Sequence, residues 1–126
     1  MAAALAAIQR DVEADHGVRV DVVTVGDTQL DEALGALIGA TREAVVNAAK
    51  WSGAEVVSIY AEVEPGEVSV FVRDRGKGFD PKTVATDRKG LSESVYARMR
   101  RNGGSASVRS APGEGTEVTL VMPRQS

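Results

Sequence analysis

The chain has no cysteine, one histidine and one tryptophan, and only 4% of its 126 residues are aromatic. Without cysteine there is no disulfide framework and no thiolate metal site, which is compatible with a reducing compartment. With so few aromatics, the core has to be built from Val, Leu, Ile and Ala. No apolar run approaches the ~20 residues needed to span a bilayer, and no signal peptide is visible. Charge of one sign is also lacking: the net value is −3, which argues against bulk binding of a nucleic-acid backbone. The basic residues Arg88, Lys89, Arg98, Arg100 and Arg101 are interrupted by Glu93 and read as a solvated helix face. Two phosphate-binding signatures are missing. There is no Gly-Lys-Ser/Thr loop, and no glycine spacing that leads straight into a helix as a dinucleotide fingerprint requires.

What remains is 43% hydrophobic and 26% charged, the balance of a globular domain rather than a disordered segment. A chain of this length fits one domain, residues 1–126, and buries roughly two thirds of its unfolded surface. Leu5, Ile8 and Val12 fall at helical spacing, so residues 2–15 read as an amphipathic helix stopped by Gly17. Alternation predicts a strand over 18–25. Asp31 suits the N-cap of a long helix running to about Ser52, with Gly53 as its stop. Two strands, about 55–63 and 68–73, flank Glu64-Pro65-Gly66-Glu67, a hairpin signal. Residues 74–90 are poor in apolar side chains and read as a long binding loop or lid. A helix from about Leu91 to Arg101 follows, closed by Asn102-Gly103-Gly104, then strands over 105–110 and 116–122. This order places helices on one face of a mixed, mostly antiparallel sheet, a two-layer α/β sandwich whose core spans about 18–123.

Four polar segments interrupt this pattern. Glu43, Asn47 and Lys50 share one helix stripe at i, i+4 and i+7, opposite the apolar stripe Leu34, Leu37, Ile38, Thr41, Val45 and Ala48. An amide oxygen, a carboxylate and an ammonium suit phosphate chemistry around a hard cation; by themselves they equally describe a solvated helix face. Asp74-Arg75-Gly76-Lys77-Gly78 follows a strand directly. A carboxylate at that strand end can accept a hydrogen bond from the exocyclic amine of adenine, and the glycines let the backbone approach a ligand. Lys89-Gly90-Leu91 is read as opening a helix, whose first N–H groups and dipole favour di- or triphosphate. Gly113-Glu114-Gly115-Thr116 precedes the last strand and alone would pass for a hairpin turn.

In this order and spacing the four segments resemble the N, G1, G2 and G3 boxes of the Bergerat-type ATP-binding domain. That fold is shared by sensor histidine kinases, gyrase-type topoisomerases, the heat-shock chaperone of the same superfamily and mismatch-repair ATPases. The resemblance covers roughly residues 18–123. It implies ATP and Mg²⁺ as cofactors, with Asn47 as a metal ligand and Glu43 as the acidic residue that assists positioning or proton transfer. Lys50, Lys89, Gly90 and Leu91 would meet phosphates, and Asp74, Gly76, Gly78, Gly115 and Thr116 would form the adenine side. Three departures stand out. Lys50-Trp51 occurs where relatives carry His or Arg, Arg88-Lys89 replaces part of a Gly-x-Gly lid, and His16 lacks the setting of a phosphoacceptor. The runs Arg42–Lys50 and Leu91–Met99, with the Ser-Ala-Pro-Gly-x-Gly-Thr-Glu-Val ending, look like bacterial sensor kinases of the nitrate-sensor type.

The implied function is the catalytic domain of a two-component histidine kinase. It would transfer the γ-phosphoryl group of ATP to a His on a dimerisation domain absent from this chain, with a response regulator downstream. The isolated domain is then expected to be a monomer, cytoplasmic and free of membrane and nucleic-acid contact, and its parent a homodimer, possibly membrane-anchored. The alternatives are an anti-sigma-factor-type serine kinase of the same fold and a degenerate nucleotide-binding module.

Overall fold

The computed structural model describes residues 1–51, 53–76 and 86–124, with side chains of 51 and 86–93 left aside. Three helices and five strands follow one another: α1 (Ala2–His16), β1 (Arg19–Val25), α2 (Glu32–Trp51), β2 (Val56–Val63), β3 (Glu67–Asp74), α3 (Thr86–Arg101), β4 (Ser105–Ser110) and β5 (Thr116–Pro123). The sheet order is β1-β2-β3-β5-β4. Only β1 and β2 run parallel, the remaining pairs being antiparallel. The expected mixed, mostly antiparallel sheet under a helix layer is therefore what forms.

Strand alternation sets the two faces. Val20, Val57, Ile59, Ala61, Val68, Val70, Val72, Leu120 and Met122 are buried and occupy the alternate positions that face the helices. Against them pack Leu5, Ile8 and Val12 of α1, Leu34, Leu37, Thr41 and Val45 of α2, and Val95 and Met99 of α3. Among the described residues, the aromatics Tyr60, Phe71 and Tyr96 are not in this core. Tyr60 and Phe71, opposite each other in the β2–β3 register, meet on the other sheet face with ring centroids 6.0 Å apart.

Caps and turns place the elements. Asp31 Oδ1 accepts the Leu34 N–H at 2.8 Å, the N-cap bond expected of it. At the end of α3, Gly103 has φ 86, Gly104 N–H bonds Met99 C=O at 2.8 Å and Gly103 N–H bonds Arg100 C=O at 3.1 Å. These two bonds make a Schellman stop and turn the chain into β4. The first helix also protects an edge of the sheet. Glu13 Oε2 accepts the Val20 N–H at 3.0 Å, and Gln9 Nε2 donates to the Val20 C=O at 2.7 Å. Both polar groups of an edge-strand residue are thus withdrawn from intermolecular pairing. No helix among the described residues is long and apolar enough to cross a membrane.

One boundary differs from the sequence reading. The third helix begins at Thr86, five residues before Leu91, so residues 86–90 belong to the helix and not to the loop. Gly90 and Leu91 then lie in its second turn, where backbone N–H groups are used within the helix. The first-turn N–H groups belong to residues 86–89. Residues 77–85 of the expected lid, including Gly78, lie outside the described residues.

Candidate functional site

The antiparallel β3–β5 pairing unites two of the four segments. Asp74 closes β3 and Thr116 opens β5, and they are register partners. Asp74 is only 5% exposed, and its Oδ1 accepts the Gly76 N–H at 2.9 Å, an Asx-turn that folds the chain back at the strand end. Gly115 lies directly against this turn. Its φ is +78, and a Cβ there would strike the Asp74 carbonyl oxygen and stand 3.0 Å from Arg75 Cα. Only glycine satisfies both the dihedral and the clearance. Gly76 and Gly115 therefore bring two backbones together around a buried carboxylate. The Thr116 hydroxyl lies 2.9 Å from the Ser110 hydroxyl, and Ser110 Oγ also donates to the Gly115 C=O at 2.9 Å. Sequence reasoning missed Ser110, although its place at the end of β4, opposite Thr116, was the signal available.

On α2 the stripe divides. Lys50 is exposed in the last turn. Glu43, 19% exposed at its side chain, turns toward α3: its Oε2 lies 3.9 Å from Arg98 Nη1 and accepts from Ser94 Oγ at 3.4 Å. Asn47, one turn further on, has a buried Oδ1 with no hydrogen-bond partner among the described residues. A buried amide oxygen without a partner loses its hydration and gains nothing in return, about 1–3 kcal/mol. Such an atom calls for a ligand. An amide oxygen is a hard donor of the kind Mg²⁺ accepts while keeping its remaining positions for water and phosphate oxygens. Among the described residues no group of three His, Cys, Asp or Glu side chains could hold a metal, so an all-protein cage is not built from them.

The backbone of Lys89, Gly90 and Leu91 lies in α3. This helix packs on α2 and β4, so the third segment is carried on an element that leans on the helix bearing Glu43 and Asn47. A broad concavity of about 1140 Å³ opens on the other face of the sheet, beside Tyr60, Phe71 and Arg73. It reaches Asp74 and Gly76 but takes in neither Glu43 nor Asn47, so it is a different place from the helix-side arrangement.

The family model described as histidine kinase-, DNA gyrase B- and HSP90-like ATPase matches residues 34–126. An uncharacterized sensor-like histidine kinase of Chloroflexus aurantiacus is 30% identical over 116 residues, 88% of this chain and 19% of that protein. The signal transduction histidine-protein kinase/phosphatase DegS of Bacillus subtilis is 30% identical over 114 residues, 84% of this chain and 29% of that protein. The chain thus spans less than a third of the length of these curated relatives. Among solved structures, the mycobacterial sensor histidine kinase MprB superposes with a TM-score of 0.72 at 21% identity, covering 98% of this chain and 93% of that one.

Proposed function

Because the chain belongs to the histidine kinase-, DNA gyrase B- and HSP90-like ATPase family, we propose that it is the ATP- and Mg²⁺-binding catalytic domain of a sensor histidine kinase. It donates the γ-phosphoryl group to a His on a dimerisation domain outside these 126 residues. Membership in an ATPase family implies ATP binding. The metal, the acceptor and the response regulator are the parts of the proposal that go further. The sensor-kinase names of the relatives support this reading over the serine-kinase one, and the runs Arg42–Lys50 and Leu91–Met99 with the Ser110–Val118 ending support the nitrate-sensor-type branch.

The observation that carries the proposal is the buried Oδ1 of Asn47, without a partner among the described residues and one helical turn from a carboxylate. Asn47 would hold Mg²⁺ through that oxygen, and the bound ion would neutralise charge on the β- and γ-phosphates. Asp74 accepts the adenine amine, which guanine lacks at that position, and the Gly76 and Gly115 turns admit the base beside it. Thr116, fixed by Ser110, backs the same wall. Lys50 and Lys89 supply phosphate contacts, Lys50 from an exposed position that lets its stem swing. Glu43 orients the incoming nucleophile and takes or steers its proton. Phosphoryl transfer asks mainly for positioning and charge stabilisation, and these residues are of that kind.

The test is calorimetric titration with Mg-ATP, Mg-ADP and Mg-GTP, with Asp74→Asn beside the wild type. A charge-assisted bond worth about 1.5–3 kcal/mol corresponds to a roughly 10- to 150-fold loss of ATP affinity in the variant. Equal affinity for ATP and GTP, or an unaffected variant, would remove Asp74 from the adenine site.

A further inference from the structure

Glu43 is held by groups that its own helix does not supply, and both reach it from α3. Ser94 Oγ donates to Oε2 at 3.4 Å, and Arg98 Nη1 approaches the same oxygen at 3.9 Å. Ser94 and Arg98 are one turn apart and so lie on the same face of α3. The other carboxylate oxygen, Oε1, takes no partner among the described residues. The guanidinium reaches this position because of a gap in α2. Gly39 lies one turn before Glu43, and a Cβ at Gly39 would come within 2.6 Å of Arg98 Nη1. A glycine in the middle of a 20-residue helix lowers helix stability relative to alanine, and this one has no left-handed φ to excuse it. With side-chain exposures of 37% and 19%, the ion pair adds little to folding. A destabilising glycine making room for an energetically minor pair fits a demand of geometry better than one of stability.

We propose that Arg98, seated in the notch at Gly39 and assisted by Ser94, is the positioning residue that tethers one oxygen of Glu43 and leaves the other directed at the reacting group. The inference rests on the role given to Glu43 above. It also makes the phosphate-side helix a control element: any displacement of α3, whose early turns carry Lys89–Leu91, moves Arg98 and with it the carboxylate.

Gly39→Ala isolates the effect, because the new methyl meets only the far end of a flexible side chain. Unfolding by urea should show a midpoint equal to or above wild type, since alanine favours the helix. Turnover of Mg-ATP by the same protein, measured as phosphoryl transfer to the added dimerisation domain, should fall about tenfold, less than the ~10²-fold cost of a full 1 Å misplacement, with KM within twofold. Arg98→Lys should recover part of the turnover lost in Arg98→Ala, and in a Glu43→Gln background Gly39→Ala should have no further effect. Wild-type turnover in Gly39→Ala, or an equal fall in the Glu43→Gln background, would overturn the proposal. The guanidinium resonances of Arg98 read the contact independently of turnover. They should shift in Glu43→Gln and in Gly39→Ala, and unmoved signals would also overturn it. Failure of the wild type to bind Mg-ATP would instead refute the nucleotide reading, while the resonances still report whether Arg98 holds Glu43.

Discussion

Replacing Gly115 by alanine tests the joint between the last turn and the adenine wall, and Gly113 supplies its control. Both glycines are left-handed, with φ of +78 and +79, but a Cβ at Gly113 meets nothing within 4 Å while one at Gly115 meets Asp74 and Arg75 backbone. The left-handed conformation alone costs a non-glycine residue about 1–2 kcal/mol, so Gly113→Ala should lose that and no more. At Gly115 the added carbon strikes main-chain atoms of a paired strand. Forcing a well-packed region apart adds about 1–3 kcal/mol, giving a total of about 2–5 kcal/mol. With a urea m-value of about 2 kcal/mol/M, the middle of the usual range, the Gly115→Ala midpoint should fall by roughly 1–2.5 M, against roughly 0.5–1 M for Gly113→Ala. The displaced Asp74–Arg75 segment should also weaken ATP binding in the first variant only. Equal losses in the two variants would refute the argument, since they would leave the dihedral as the whole effect and the close approach as irrelevant.

The orphaned amide of Asn47 predicts a trade-off: Asn47→Leu should stabilise the nucleotide-free chain by about 1–2 kcal/mol in urea unfolding, while its ATP affinity loses its dependence on Mg²⁺. Leu37, fully buried in α2, should cost about 2–5 kcal/mol when cut to alanine, measured in the same way, with the m-value unchanged. Asp27 has a carboxyl held down to about 2 from an ordinary 3.8, chiefly by the Ala2 N–H and then by the terminal ammonium and the Thr28 N–H. A depressed carboxylate stabilises the fold above its unfolded pKa and stops doing so as pH falls through the folded one. The wild type should therefore lose stability between about pH 4 and pH 2 more steeply than Asp27→Asn, followed by urea midpoints across that window.

Much of the fold could be read from local pattern because local pattern causes it. Asp31 as an N-cap, Pro65-Gly66 in a hairpin and the alternating valines of β2 and β3 each act within a few residues of themselves. The start of α3 escaped for the same reason. Thr86-Asp87-Arg88-Lys89 has no apolar periodicity, so nothing local in the sequence separates its first turn from the polar residues before it. The site was legible as residue types at fixed spacing, which named Asp74, Gly115 and Asn47 but not what they touch. Ser110, bonded to Thr116 across a strand pair, and Arg98, set against Glu43 across a helix pair, depend on tertiary packing that no spacing encodes. The same holds for Gln9 and Glu13, which look like an ordinary polar helix face until β1 is placed beside them.

The activity proposed for this domain is phosphorylation of a histidine. The most direct test is label transfer from radiolabelled Mg-ATP to the dimerisation domain of the parent protein, mixed with this chain or with its Asn47→Leu variant. Labelling is expected with the wild type alone, by a phosphoryl group that is lost in acid and kept in alkali, as a phosphoramidate requires. Label that survives acid would place the phosphate on a hydroxyl and contradict the histidine assignment, while equal labelling by the variant would remove Asn47 from the phosphoryl-transfer site.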